Sequence, residues 1–429
     1  MKICVFGLWH LGSVISACIA SKGYEVVGFD EDKNIIKNLN AGKAPIYEPS
    51  LNSLIKKGLD YGNLFFSNNI KKALSKAEIL WVAIDTPVKL NDKADINYII
   101  SRVKKIIPKL KKNVIILFSS QMPVGSIKKI NNFVEKNFPK KKINFACSPE
   151  NLRLGNSVEI FFNPDRIIVG VSNKKTQEKL NPLFLSICKK IEWMSIESAE
   201  MTKHALNSFL ASSVIFTNEI ATICEKVGAN AHEVENGLKS DMRIGKRAYL
   251  SPGDPIAGGT LLRDINFLNI ESKKNKLVTP LLSSIVLSNN EHKKWIRKKL
   301  QDQYVSLSNI SITIFGLTYK PNTNTLRRSL SIELCDWLIT KGAKISVYDP
   351  VIKKLPKRLT KKVKNYDNAI DALNDTDVLI IGTKWQEFKK ITSKIAKVSK
   401  KNMIIIDPNR FLETRILKSK FKYITFGTS

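Results

Sequence analysis

The stretch KICVFGLWHLGSVISACIASKGYEVVGFD (Lys2–Asp30) sets the reading of the whole chain. Lys2 to Phe6 is a short apolar run of strand type, GLWHLG follows, a helical pattern runs to Lys22, and a second strand, Tyr24 to Phe29, ends in Asp30. Strand, glycine turn, helix, strand and terminal acid are the layout of a dinucleotide-binding βαβ unit. In that layout a pyrophosphate rests on the helix N-terminus and the acid takes the ribose hydroxyls. Gly7 is expected to make the tight turn and Gly12 the close packing of helix on strand. Trp9, His10 and Leu11 complete the cradle expected to hold the cofactor. Trp9 stands where a middle glycine would let backbone approach the pyrophosphate unhindered, so it either points away as a wall or costs affinity. Asp30 favours NAD over NADP, because its carboxylate repels a 2′-phosphate.

The alternation continues downstream. Ile79 to Ile84 reads as a strand with Asp85-Thr86-Pro87 at its carboxyl end, where open α/β sheets bind ligands. Asn113 to Phe118 ends in SSQMPVGS, Asn144 to Cys147 ends in SPENLRLG, and Asp165 to Val171 gives one more strand. Strands that end repeatedly in polar, Gly- and Pro-bearing loops make the rim of a doubly wound sheet.

SAEMTKHALNSFLASSVIFTNEIATICEKVG (Ser198–Gly228) then carries apolar residues at helical spacing, with no Pro or Gly before Gly228. It predicts one unusually long helix with Ser198 as N-cap, and places Lys203 and Asn207 one turn apart on one face. Flanked by two alternating regions, this helix is expected to join two lobes and line the cleft between them. Next comes RIGKRAYLSPGDPIAGGTLLRD (Arg243–Asp264), read as a Gly/Pro-rich loop bearing Arg243, Thr260, Arg263 and Asp264. Pro280 to Gln301 is helical in pattern. A second α/β unit opens with the strand Ser311 to Phe315 and the loop GLTYKPNTNTLRRS, whose Lys320, Arg327 and Arg328 suit phosphates. Its further strands are Lys344 to Tyr348, Val378 to Ile381 and Asn402 to Ile406.

The fold class expected is α/β, with two Rossmann-like doubly wound domains joined by a long central helix. The domains expected are an NAD-binding domain at 1–195, a central helical domain at 196–302 and a substrate-binding domain at 303–429.

Composition narrows the function. At 429 residues, 43% hydrophobic and 25% charged, the chain is of ordinary soluble character and long enough for two or three domains. It has no apolar run that spans a bilayer and no leader pattern, so a cytoplasmic location is expected. The net charge of +32 comes from lysines scattered in short groups, without an arginine-rich arm or aromatic platform. That argues against a specific nucleic-acid partner and for attraction of an anionic substrate. Six cysteines without a CxxC pair and four histidines without ligand spacing point to reduced core thiols and no metal.

Together these residues resemble the UDP-glucose/GDP-mannose 6-dehydrogenase family over nearly the whole chain. The matching pieces, in order, are PIYEPSL (Pro45–Leu51), Thr86-Pro87, Pro123-Val124-Gly125, SPENLRLG (Ser148–Gly155), NPDR (Asn163–Arg166), AEMTKHALNSF, RIG, Arg263-Asp264 and GLTYKPNT. The resemblance implies NAD-dependent oxidation of a sugar nucleotide, a UDP-sugar being favoured, and a homodimer built on the long helix. It implies that Lys203 and Asn207 stabilise the developing oxyanion, that Glu150 is the carboxylate near the reacting carbon, and that Asp264 is an acid or base nearby. It further implies cofactor contacts from Thr86, Ser120 and Arg327. Substrate contacts are implied for Arg243 (across the dimer), Gly258, Tyr319 against the base, and Lys320 and Arg327 as phosphate and sugar anchors.

Four departures stand out. Trp9 replaces the middle glycine, Gln121 the threonine that holds a catalytic water, Leu154 a second carboxylate, and Thr260 the family's cysteine. An alcohol yields no thiolate-like nucleophile and is a poor leaving group, so a thioester-mediated second oxidation is not available at Thr260. A single two-electron step is the expectation. A non-catalytic sugar-nucleotide-binding protein of the same fold is the alternative.

Overall fold

In a computed structural model, described over residues 1–87, 95–149, 152–257, 260–400, 402–413 and 415–428, the chain forms two compact units, Met1–Ala205 and Leu206–Ser429. The first holds an eight-stranded sheet: β1 (Lys2–Phe6), β2 (Glu25–Phe29), β3 (Leu64–Ser67), β4 (Ile79–Val82), β5 (Ile115–Phe118), β6 (Asn144–Cys147), β7 (Ile167–Val171) and β8 (Ile191–Met194). Its spatial order is β3-β2-β1-β4-β5-β6-β7-β8. All pairings are parallel except β6 with β7. β4 and β5 are buried along their whole length, as strands covered on both faces must be, so they read as continuous apolar runs. One face packs Val14, Ile15, Cys18 and Ile19 of the first helix; the other packs Ile99, Val103, Ile127 and Ile130.

Strand order reverses between β1 and β4, so their carboxyl ends frame the crevice where such sheets bind ligands. The second unit repeats the design with β9 (Ser311–Phe315), β10 (Lys344–Tyr348), β11 (Val363–Asn365), β12 (Val378–Ile381), β13 (Ile404–Ile406) and β14 (Lys422–Ile424). These run in the order β11-β10-β9-β12-β13-β14, all parallel.

The long helix spans Ile196–Val227, 32 residues. Its cap is Ser195, not the expected Ser198: the Ser195 hydroxyl accepts from Ser198 N–H at 3.2 Å. The helix starts tight against β7, where a Cβ on Gly170 would lie 2.7 Å from both Ala199 Cβ and Ile196 Cα.

Two other expectations change. The segment read as one helix over Pro280–Gln301 is two, Pro280–His292 and Trp295–Gln303. Thr260–Asp264, read as loop, is the first turn of the helix Thr260–Lys274. Apolar residues at 261, 262 and 265 carry that helical spacing, masked by the Gly/Pro-rich stretch before them.

Candidate functional site

In the first unit the site begins at the turn after β1. Gly7 sits at φ +92°, and a Cβ there would lie 2.7–2.8 Å from Ile84, so both conformation and space demand glycine. A Cβ on Gly12 would lie 1.7 Å from the Gly7 carbonyl oxygen, which brings the helix His10–Ser21 down onto the turn. Leu8 is buried, and its N–H donates to Asp30 Oδ2 at 2.8 Å. Asp30 Oδ1 accepts from Asp32 N–H at 3.0 Å. Each carboxylate oxygen thus takes one backbone bond and keeps a lone pair for a ribose hydroxyl. Trp9, at the middle position, is 47% exposed, so its indole is not packed into the core.

The first N–H groups of this helix are already engaged. His10 and Leu11 donate to Asp85 Oδ2 at 3.2 and 3.4 Å. His10 is also tied by its ring, with Nε2 3.0 Å from Glu48 Oε2 and 3.0 Å from Ser157 Oγ. Glu48 in turn accepts from Gly155 N–H at 2.9 Å and Ser157 N–H at 2.7 Å. Serine and carboxylate meet the same ring nitrogen, so this is not a hydrolytic triad, in which they occupy opposite nitrogens. It clamps the end of SPENLRLG onto the nucleotide turn. Glu48 lies inside PIYEPSL, but His10 is 38 residues before it and Gly155 and Ser157 are 107 and 109 residues after it, beyond any local signal.

Across the crevice, Thr86 Oγ1 donates to the Gln121 carbonyl at 2.6 Å, and buried Ser120 donates to Val82 O at 3.4 Å. Gly125, at φ +79°, opens the helix Ser126–Asn137. Glu200, from the long helix, caps it, accepting from Gly125 N–H at 2.6 Å and Ile127 N–H at 3.2 Å. Burial pushes the Glu200 carboxyl up to about 7 against the pull of those two donors. His204, one turn on, is buried with Nε2 3.0 Å from Met122 O. Lys203, between them in sequence, is half-buried.

In the second unit Asn207 Nδ2 donates to Asp264 Oδ2, and both side chains are buried. Thr260, four residues before Asp264 in the same helix, is exposed. Cys147, the cysteine that adjoins the SPENLRLG loop, lies at the end of β6. Burial, and secondarily the Glu200 charge, drives it well above the ordinary thiol range, which leaves it inert.

The loop after β9 holds Tyr319, half-buried, its hydroxyl pushed up by burial, with Lys320 Nζ 5.6 Å from the ring centroid. Arg327 is exposed in the same loop. Arg243 is exposed and pairs with Asp241 through Nε at 3.0 Å and Nη2 at 2.7 Å. Glu150 and Gly258 lie outside the described residues.

The geometry of the first turn fits a dinucleotide: a left-handed glycine, a helix N-terminus aimed at the crevice, and an acid at the end of β2. Among the described residues no group of three His, Cys, Asp or Glu is placed to hold a metal ion. No described helix is long and apolar enough to cross a membrane.

Comparison with known proteins agrees with this geometry. Residues 1–188 match the NAD binding domain of the UDP-glucose/GDP-mannose dehydrogenase family, 197–291 its central domain and 313–414 its UDP binding domain. The chain is 32% identical to the UDP-glucose 6-dehydrogenase of Rickettsia bellii over all of both chains. It is 32% identical to that of Bacillus subtilis TuaD over 95% of this chain and 88% of that one. Its fold matches the UDP-glucose dehydrogenase of Pyrobaculum islandicum at a TM-score of 0.88 and 24% identity, over 98% of this chain and 96% of the other. It also matches the UDP-D-ManNAc dehydrogenase of Pyrococcus horikoshii at 0.86 and 23%, over 100% and 99%.

Proposed function

Because the chain belongs to the UDP-glucose/GDP-mannose dehydrogenase family, we propose that it is an NAD-dependent UDP-sugar dehydrogenase that removes one hydride from a substrate alcohol and releases the aldehyde. Gly7, Leu11, Gly12 and Asp30 hold the cofactor, with Thr86 and Ser120 on the facing loops. NAD, when bound there, supplies the hydride acceptor. Lys203, a fixed cation, and Asn207, an amide donor, stabilise the oxygen as it gives up its proton. Asp264 accepts a hydrogen bond from Asn207 and so fixes the direction in which the amide presents its remaining proton.

The observation that carries the reading is this buried Asn207–Asp264 pair, kept intact one helical turn from a Thr260 that cannot form a thioester. The balance is alcohol plus NAD⁺ to aldehyde plus NADH plus H⁺. Arg243 and Lys320, with Arg327, supply cations for the diphosphate, and Tyr319 an aromatic face for the base.

We assign a homodimer and a cytoplasmic location to the same reading. Phe209, Phe216, Ile223 and Val227 stand exposed along the long helix, and all six cysteines are free. The working domain division remains 1–195, 196–302 and 303–429.

The test is stoichiometric. Full-length protein with NAD and a panel of UDP-sugars should yield one NADH per sugar, followed at the nicotinamide band, and Thr260→Cys should gain a second. Two equivalents from the unaltered chain would overturn the single step. Binding of UDP-sugars without turnover would favour the non-catalytic alternative.

A further inference from the structure

We propose that Asp85 is an internal stand-in for the cofactor's pyrophosphate and sets the dinucleotide affinity of this chain by competing for the N-terminus of the helix His10–Ser21. The inference rests on the NAD reading above. Asp85 follows the carboxyl end of β4, at the point where strand order reverses between β1 and β4. Its Oδ2 accepts from the N–H groups of His10 and Leu11, donors that a pyrophosphate uses in this layout. Two anions cannot share them: the partial positive charge of a helix end is about half a proton, and a carboxylate held against a diphosphate repels it.

The contact is built to be exchanged. At 3.2 and 3.4 Å both bonds are longer than the roughly 2.7–2.9 Å of a well-formed charge-assisted bond. A phosphate oxygen with freedom to approach can therefore displace them. The backbone beside Asp85 has no such freedom, since Ile84 packs directly against the Gly7 turn. The donors are freed by rotation of the Asp85 side chain, not by movement of the strand. While the cofactor is away, the carboxylate satisfies N–H groups that would otherwise face the crevice unpaired. Asp85 therefore stabilises the empty cradle and opposes its filling.

These two effects separate in experiment. Asp85→Asn, Asp85→Gly and Asp85→Ser, the last keeping a neutral capping oxygen, are titrated with NAD by calorimetry as full-length proteins without sugar, and melted without nucleotide. Removal of the charge should tighten NAD binding about tenfold while the nucleotide-free melting temperature falls by a few degrees. The affinity gain should shrink as salt is raised. A residue with only a structural part in the turn would lower both together. Folded variants that bind NAD no more tightly than the unaltered chain would overturn the proposal and leave the cofactor reading standing. Absence of NAD binding in all of them, the unaltered chain included, would overturn both.

Discussion

Gly12 shows how narrowly single residues define this cradle. A methyl group there would sit 1.7 Å from the Gly7 carbonyl oxygen, well inside contact distance, so the helix must lift off the turn to admit it. Gly12→Ala is expected to cost about 3 kcal/mol and to weaken NAD binding at least tenfold, read by denaturant melts and by titration. This requirement was legible in the sequence, because Gly7, Gly12 and Asp30 fall at spacings that follow from strand and helix geometry. Trp9 was legible as a departure, but its exposure was not, since that depends on what packs beside it. Asp85 stood in plain view after β4 without a role: the donors it meets are 74 and 75 residues earlier, and only the sheet order brings them together. The clamp of Glu48 on His10 and Ser157 was hidden for the same reason.

Among the elements, the long helix was the plainest to read, and its start was displaced from Ser198 to the Ser195 cap. What periodicity could not show is how its polar residues are used. Glu200, near the start of the long helix, caps not that helix but the helix Ser126–Asn137. Its carboxyl is raised from an ordinary 4.5 to about 7 by burial. The folded chain therefore holds that proton more tightly than the unfolded chain between those values, so stability falls as pH rises from about 4.5 to 7. The loss amounts to about 3 kcal/mol. Glu200→Gln should flatten this part of the profile in denaturant melts at successive pH values. A slope unchanged by the substitution would place the titration elsewhere. The break between Pro280–His292 and Trp295–Gln303 escaped notice because lysines at 293 and 294 suit a helix as well as a turn.

On the scale of the whole molecule, both sheets were anticipated in type, and β1, β6, β9, β10 and β12 in their bounds. Strands β3, β8, β11 and β14 were not read. They are three or four residues long, and all four are sheet-edge strands, where partial exposure dilutes the apolar signal. The exposed stripe of Phe209, Phe216 and Ile223 is the surface a second copy would cover. Changing Phe216 and Ile223 to Glu should halve the mass measured by light scattering, with each chain still folded by circular dichroism; an unaltered chain that is already monomeric would remove the dimer from the reading.

The second sheet carries the same opening device as the first. Gly316, at φ +89°, follows β9, and its N–H meets Tyr348 O at 2.8 Å just as Gly7 meets Phe29 O at 3.0 Å. Asp349 ends β10 as Asp30 ends β2. Yet Asp349 receives Leu317, Thr318, Val351 and Ile352 N–H and the Trp385 indole, and is sealed from solvent. An acid saturated in this way has no acceptor left to offer a sugar. Of two copies of one architectural idea, the second uses the acid after its second strand as an inward rivet with five donors, whereas Asp30 takes one backbone bond on each oxygen.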